Sequence, residues 1–182
     1  TFRSIGEGTG LSKDIDQFDH YYRHLLLWDD DRLEIVGAYR LGEIWRWQGQ
    51  PKTKLYSQSL FDYQPSIQPL FAQGLELGRS FVQPQYRGRR SLDYLWQGIG
   101  AYLASHQQVR YLFGPVSLSN NLPKPARDML VHFYGTHFAD PDHFALAAIP
   151  YVIDSDSVTD LRQHMPGLDF DMDHEWLRKQ LG

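Results

Sequence analysis

The stretch from Leu75 to Leu103, LELGRSFVQPQYRGRRSLDYLWQGIGAYL, constrains the fold more than any other part of the chain. Leu75 to Val82 reads as a strand, and Pro84 stops it because proline has no N–H to give to a ladder. The loop Gln83 to Arg90 follows. Ser91 suits an N-cap, and Asp93 falls in the first turn, where a carboxylate complements the partial positive charge of a helix start. Leu92, Leu95, Trp96, Ile99 and Leu103 then recur at the spacing of one helix face. Another strand is predicted in VRYLFGPVSLS, residues 109–119. Strand, helix and strand in that order make a crossover unit, which sets a parallel pair in one sheet.

In RLEIVGAYRLGEIW, residues 32–45, Val36, Ala38 and Arg40 alternate with Ile35, Gly37, Tyr39 and Leu41. Both sets are partly apolar, which predicts a central strand covered on both sides. Leu25 to Trp28 is a further candidate strand, after a helical pattern around Phe18, Tyr21 and Tyr22 that carboxylates precede. TFRSIGEGTGLS at the start reads as a short strand and a glycine-rich loop. RWQGQPKTKLYSQSLFDY reads as a hairpin or excursion, and PSIQPLFAQG as a short helix or loop. Beyond the crossover come a helix in KPARDMLVHFYGTH, with Pro125 near its start and Gly135 near its end, and a late strand in HFALAAIPYVI. Short helices in DSDSVTDLRQHMPG and HEWLRKQL close the chain. The meander ahead of the crossover implies antiparallel pairing. The predicted architecture is α/β of the α+β kind: a mixed, mostly antiparallel sheet, helices on both faces and one parallel crossover pair. With 182 residues and no linker, a single domain over residues 1–182 is expected. A start at Thr1 rather than Met raises the expectation of a fragment of a longer chain.

Composition removes several classes of function. A net charge of -4 argues against a general nucleic-acid binder. The absence of cysteine excludes disulfides, thiolate metal sites and a cysteine nucleophile, and it fits a reducing, cytoplasmic compartment. The longest apolar run, FALAAIPYVI, is too short to span a bilayer. His132, His137 and His143 lie at spacings that match no helix-face ligand pair, so no metal is expected. Asp169, Asp171 and Asp173 begin like a calcium loop, but His174 stands where that loop needs glycine and Gln180 where it needs glutamate. The reading is an acidic cap.

The loop ahead of the Leu92–Leu103 helix is where chemistry concentrates. Backbone N–H groups at a helix start attract anions, and Gly88 lets a backbone come close to one. Arg87, Arg89 and Arg90 oppose the helix dipole there, which asks for an anion nearby. The other reading is an ordinary strand-to-helix connection with solvated arginines, and pattern alone leaves both open.

The strand, the QYRGR loop and the amphipathic helix resemble the acyl-donor loop of the GNAT acyltransferase superfamily, whose pattern is Q/R-x-x-G-x-G/A. Gln85 and Gly88 match it, and Arg90 stands where a small residue is usual. EIVGAYRL, LYSQSLF, LELGRSFVQPQYR, LWQGIGAYL and YLFGPVSLS, with IGEGTG and YYRHLLLWD, are similar to the ornithine lipid-type N-acyltransferases and to hemolysin-like GNAT domains. The likeness is collinear over about the first two-thirds of the chain.

The resemblance implies a direct transfer, in which an amine attacks a thioester without a covalent enzyme intermediate. It implies no permanent cofactor. The donor would be a fatty or hydroxy-fatty acyl group on the phosphopantetheine of acyl carrier protein, or acyl-CoA, and the acceptor a small amine such as ornithine. Val82, Gln83, Arg87, Gly88, Arg89, Arg90 and Ser91 would hold the donor phosphate, and the arginines would also suit an acidic carrier protein. Glu76 is the candidate base, with a structural pairing to Arg40 or Arg79 as the competing role. ELGR also resembles the E-x-x-R element of acyl-homoserine lactone synthases. Residues three apart in a strand face opposite sides, so Glu76 and Arg79 share a cleft only if a bulge intervenes, which Gly78 would permit. Arg40 and Arg79 are candidates for an acceptor carboxylate. Ser117, Ser119 and Asn120 are candidates for substrate contact, and Tyr134 for protonating the leaving thiolate. Action at the inner face of a membrane is a further expectation. The alternative is a non-catalytic GNAT-like domain serving an attached lipid acyltransferase, and Arg90 is the feature that favours it.

Overall fold

A computed structural model describes residues 15–47, 53–88, 90–119 and 121–182. The expected N-terminal strand and its IGEGTG loop, together with Arg89 and Asn120, lie outside the described residues. The chain divides into two compact units, Thr1–Val116 and Ser117–Gly182.

The first unit holds strands β1 (Arg23–Asp29), β2 (Glu34–Glu43), β3 (Phe61–Tyr63), β4 (Gly74–Val82) and β5 (Tyr111–Phe113). Its helices are α1 (Ile44–Trp47), α2 (Gln68–Phe71) and α3 (Ser91–Ala104). β1, β2, β4 and β5 form one sheet in that order. β1–β2 and β2–β4 are antiparallel and β4–β5 is parallel, as the crossover predicts. This is the mixed, mostly antiparallel sheet read from the sequence, with β2 central. The helical pattern around Phe18 condenses to one 3-10 turn, Gln17–His20, because the chain enters β1 three residues later. β5 is shorter than expected and stops at Phe113.

Tyr39, Leu41 and Glu43 share one face of β2 by the two-residue period of a strand. α3 covers that face. Leu95 and Ile99, each 1% exposed, form its inner stripe, and each contributes roughly 1.5–3 kcal/mol by leaving water. Tyr102 of α3 donates to Glu43, which also takes Arg23 Nε at 2.7 Å. The opposite face carries Arg40, Gly42 and Glu76, since Gly42 pairs with Glu76. The 3-10 turn, Tyr22 and residues Leu55–Ser57 bury it, and the one-turn helices α1 and α2 pack on β4.

β4 carries a bulge. Ala38 faces Phe81 and Arg40 faces Gly78, so β4 advances three residues while β2 advances two. Arg79 adopts φ +44 there. The expected bulge exists, and the left-handed conformation falls on Arg79 rather than on Gly78.

The second unit consists of α4 (Lys124–His137), β6 (Ala145–Ala147), α5 (Ser155–His164) and α6 (Phe170–Leu181). Phe133, Leu161, Met165 and Leu177 make its core. The late strand shrinks to three residues, with Pro150 just beyond it. The acidic run ahead of EWLRKQL is a cap in part: Asp169 accepts from Met172 N–H at 3.0 Å. Asp173 is buried instead, accepting from Gly167 N–H at 2.9 Å and lying 2.8 Å from His137 Nε2. Among the described residues no three His, Asp or Glu side chains gather to hold a metal, and no helix is long and apolar enough to cross a membrane.

Candidate active site

The buried face of the sheet is built outward from the turn before β1. Asp16 and Asp19 form a capping box: Asp16 accepts from Phe18 N–H at 2.8 Å and Asp19 N–H at 3.2 Å, and Asp19 accepts from Asp16 N–H at 2.9 Å. The pair thereby presents two carboxylates to β2. Arg40 Nη1 donates to Asp16 at 2.8 Å and to Asp19 at 3.0 Å, and Arg79 Nη1 also donates to Asp16. Burial pushes the Asp19 carboxyl up, but the Asp16 N–H and the Arg40 guanidinium together hold it below its ordinary value. Arg40 lies 5.0–5.5 Å from the ring centres of Tyr22, Tyr56 and Phe18.

Arg40 therefore departs from the role weighed for it. It is 2% exposed and committed to Asp16 and Asp19, so it builds the site rather than facing an acceptor carboxylate. Nor is it the partner of Glu76. That carboxylate accepts from the Tyr22 hydroxyl and from Ser57 N–H at 2.8 Å. Tyr22 in turn accepts from Tyr56 N–H at 2.8 Å. Burial, then the neighbouring Glu76 charge, push the Tyr22 phenol far above its ordinary value, so it remains a donor. Glu76 is 1% exposed. Arg79 is less enclosed, with 15% of its side chain exposed, and the bulge directs it to the Asp16 carboxylate that Arg40 shares.

On the other side of β4 the sheet pairing is short. The parallel pairing runs only through Gly74–Tyr111, Leu75–Leu112 and Glu76–Phe113. Gly114 then closes against β4: a side chain there would place its Cβ 1.9 Å from Leu77 O. From Gly78 to Val82 this edge of β4 has no strand partner among the described residues. The edge leads into the arginine loop. Gly88 has φ +72, as a tight approach to the helix requires. Gln83 is tied to β2 through its N–H to Val36 O at 2.8 Å and its side-chain amide to Ile35 O. Tyr86 pins the loop from beneath, donating its hydroxyl toward Asp29 at 2.7 Å and Glu34 at 2.8 Å. Those carboxylates, Asp29 first, push its phenol up to about 12.

Ser91 is not the N-cap. Arg90 occupies that position, and Ser91 is the first helical residue, its hydroxyl donating back to Tyr86 O at 3.2 Å. The Arg90 side chain is 71% exposed, beside Asp93 Oδ2 at 3.8 Å and over the Tyr94 ring. Arg87 lies along the end of β4, with Nε 3.4 Å from Val82 O. Ser117, Ser119 and Tyr134 belong to the second unit, where all three are exposed. Ser119 accepts from Asn121 N–H at 3.2 Å, and the Tyr134 ring packs on Phe133 and Phe138.

Tyr22, Asp16, Asp19 and Ser57 carry no local sequence signal of a place in this buried centre. The D-x-x-D spacing of Asp16 and Asp19 is a capping signal, but nothing local says that its carboxylates meet arginines from β2 and β4.

The site is thus a mixed sheet whose one parallel pair is short, with a glycine-arginine loop leading from β4 into α3. The acetyltransferase (GNAT) domain family matches residues 1–97, more than half of the chain, and the chain belongs to that family. It is 34% identical over 167 residues to a glycine N(alpha)-acyltransferase of Bacteroides thetaiotaomicron, covering 85% of this chain and 50% of that protein. It is 32% identical over 150 residues to an L-ornithine N(alpha)-acyltransferase of Brucella abortus, covering 76% and 50%. A second L-ornithine N(alpha)-acyltransferase, from Agrobacterium fabrum, is 37% identical over 115 residues, covering 58% of this chain and 37% of its own. The chain thus spans about half the length of curated relatives it matches. No solved structure matches it.

Proposed function

We propose that this chain carries the acyl-transfer centre of an N-acyltransferase that moves a fatty acyl group from a thioester to the α-amine of a small amino acid. The observation that carries the reading is the β4 edge left open beyond Glu76, because a pantetheine arm is a short amide chain that such an edge can pair with. The edge ends at Arg87, Gly88 and the start of α3, which suit the arm's phosphate. Arg89, outside the described residues, is assigned there by its place in the loop. The names of the relatives, glycine and L-ornithine acyltransferases, support an amino-acid acceptor. Arg79 pairs with Asp16 and Asp19 as Arg40 does, but 15% of its side chain is exposed, and that exposed part is proposed to meet the acceptor carboxylate.

In the reaction the amine nitrogen attacks the thioester carbonyl, the C–N bond forms and the C–S bond breaks. The amine gives up a proton, and the thiolate leaves with one. Glu76 is the proposed final acceptor of the amine proton. With both its oxygens engaged and 1% of its surface exposed, it takes that proton through a hydroxyl or a water rather than by touching the amine. Replacing a base of this kind costs about 10²–10⁴ in rate. The test is Glu76→Gln, with thiol release measured against hydroxyacyl-loaded carrier protein and acyl-CoA. A folded variant at wild-type rate would remove Glu76 from the role.

A further inference from the structure

Tyr22 has no part in the reading so far, yet the fold is arranged around it. Its ring lies against the backbone of β2, and Gly42 is what makes room: a Cβ at position 42 would fall 2.7 Å from Tyr22 Cε1 and 3.1 Å from Glu76 Cβ. Trp47 covers the ring from α1, with centroids 4.9 Å apart, and Arg40 stacks over it at 5.0 Å. The hydroxyl is used in both directions, accepting Tyr56 N–H and donating to Glu76. Ser57 N–H holds the other carboxylate oxygen. Adjacent residues, Tyr56 and Ser57, thus grip the pair, one through the phenol and one directly.

Resting on the assignment of Glu76 as the base, we propose that Tyr22 is a positioning residue for it: the phenol hydroxyl, itself held by Tyr56 N–H, fixes the carboxylate in one orientation. A ring that only filled space would need no hydroxyl. A hydroxyl that only satisfied Tyr56 N–H would not be aimed at a carboxylate. Because the group acts through Glu76 and not on substrate, its loss is felt in the chemical step and little in substrate binding.

The experiment is a double-mutant cycle on the full-length enzyme with Tyr22→Phe, Glu76→Gln and the pair, paired with proton NMR of the Tyr22 hydroxyl. Tyr22 and Glu76 are 5% and 1% exposed, so this proton exchanges slowly enough to be sought directly. Tyr22→Phe is expected to lower kcat about tenfold, the loss of one hydrogen bond to a charged group, with KM values little changed. The double variant is expected to lose no more than Glu76→Gln alone. The hydroxyl resonance should vanish in Tyr22→Phe and move in Glu76→Gln. Should Tyr22→Phe not fold, 3-fluorotyrosine at position 22 keeps ring and hydroxyl, and its resonance must still respond to Glu76→Gln. Additive losses in the cycle, or a resonance indifferent to Glu76→Gln, overturn the proposal while leaving Glu76 as base. Full turnover in Glu76→Gln itself removes the base first and reduces Tyr22 to a structural partner.

Discussion

Tyr86, the last residue of a 3-10 turn over Pro84–Tyr86, shows how a single side chain can set the position of a loop. Its phenol is gripped by Asp29 and Glu34 at the β1–β2 turn, and its carbonyl takes the Ser91 hydroxyl at the start of α3. The loop is thus tied to the sheet and to α3 through one buried side chain and its carbonyl. Since the folded phenol titrates near 12, above the ordinary 10.0, the protonated form belongs to the folded state. The stability it supplies is complete below pH 10 and is lost as pH climbs from about 10 toward about 12. Tyr86→Phe should lower stability at neutral pH and flatten the alkaline fall. Urea unfolding between neutral and strongly alkaline pH measures this, and an unchanged alkaline slope would show that another group sets it. Gly88 belongs to the same scale. Its φ of +72 was legible as a glycine between arginines, whereas the φ of +44 at Arg79 had no sequence signal, since only the pairing of β4 with β2 forces it.

Among elements, the decisive unit is the capping turn joined to β2 and β4. A four-residue 3-10 turn has little stability of its own. It persists because Arg40, buried from β2, and Arg79, from the bulge in β4, bind its carboxylates. Arg40→Met should therefore destabilise the domain by about 3–5 kcal/mol, because it leaves Asp16 and Asp19 short of a buried counter-charge. Chemical denaturation checks this, and a loss well under 1 kcal/mol would mean that Asp16 and Asp19 readily regain solvent. The pH dependence follows from Asp19, whose folded carboxyl sits below the ordinary 3.8. Its contribution is full above that value and disappears as pH falls through the lower folded one. Asp19→Asn should remove part of the acid-side loss of stability. The crossover itself was readable from Leu75 to Leu103, because a strand period, a proline stop and a helix period follow one another without conflict. The helix pattern around Phe18 misled because Phe18, Tyr21 and Tyr22 recur at helical spacing to pack around Arg40 and Trp47, not to form a long helix.

For the whole molecule, the GNAT sheet and its open β4 edge lie in the first unit, and the helices of the second unit form a core of their own around Phe133 and Leu177. The first unit is the part that local periodicity exposes. Its buried polar centre was only half legible: Glu76 stands out as an acid within an apolar strand, while Tyr22 and Ser57 reach it from 54 and 19 residues away. Long-range contacts of that kind leave no local pattern. The proposed transfer of an acyl group from a thioester to an amino acid is measured by thiol release. The full-length protein is incubated with hydroxyacyl-loaded carrier protein, or with acyl-CoA, and with glycine, ornithine or no acceptor. Acceptor-dependent thiol release is expected with at least one donor, nearly abolished in Glu76→Gln and weakened through donor KM when Arg87 and Arg90 are both replaced by alanine. A correctly folded protein that releases no thiol with either donor and any amino acid would contradict it.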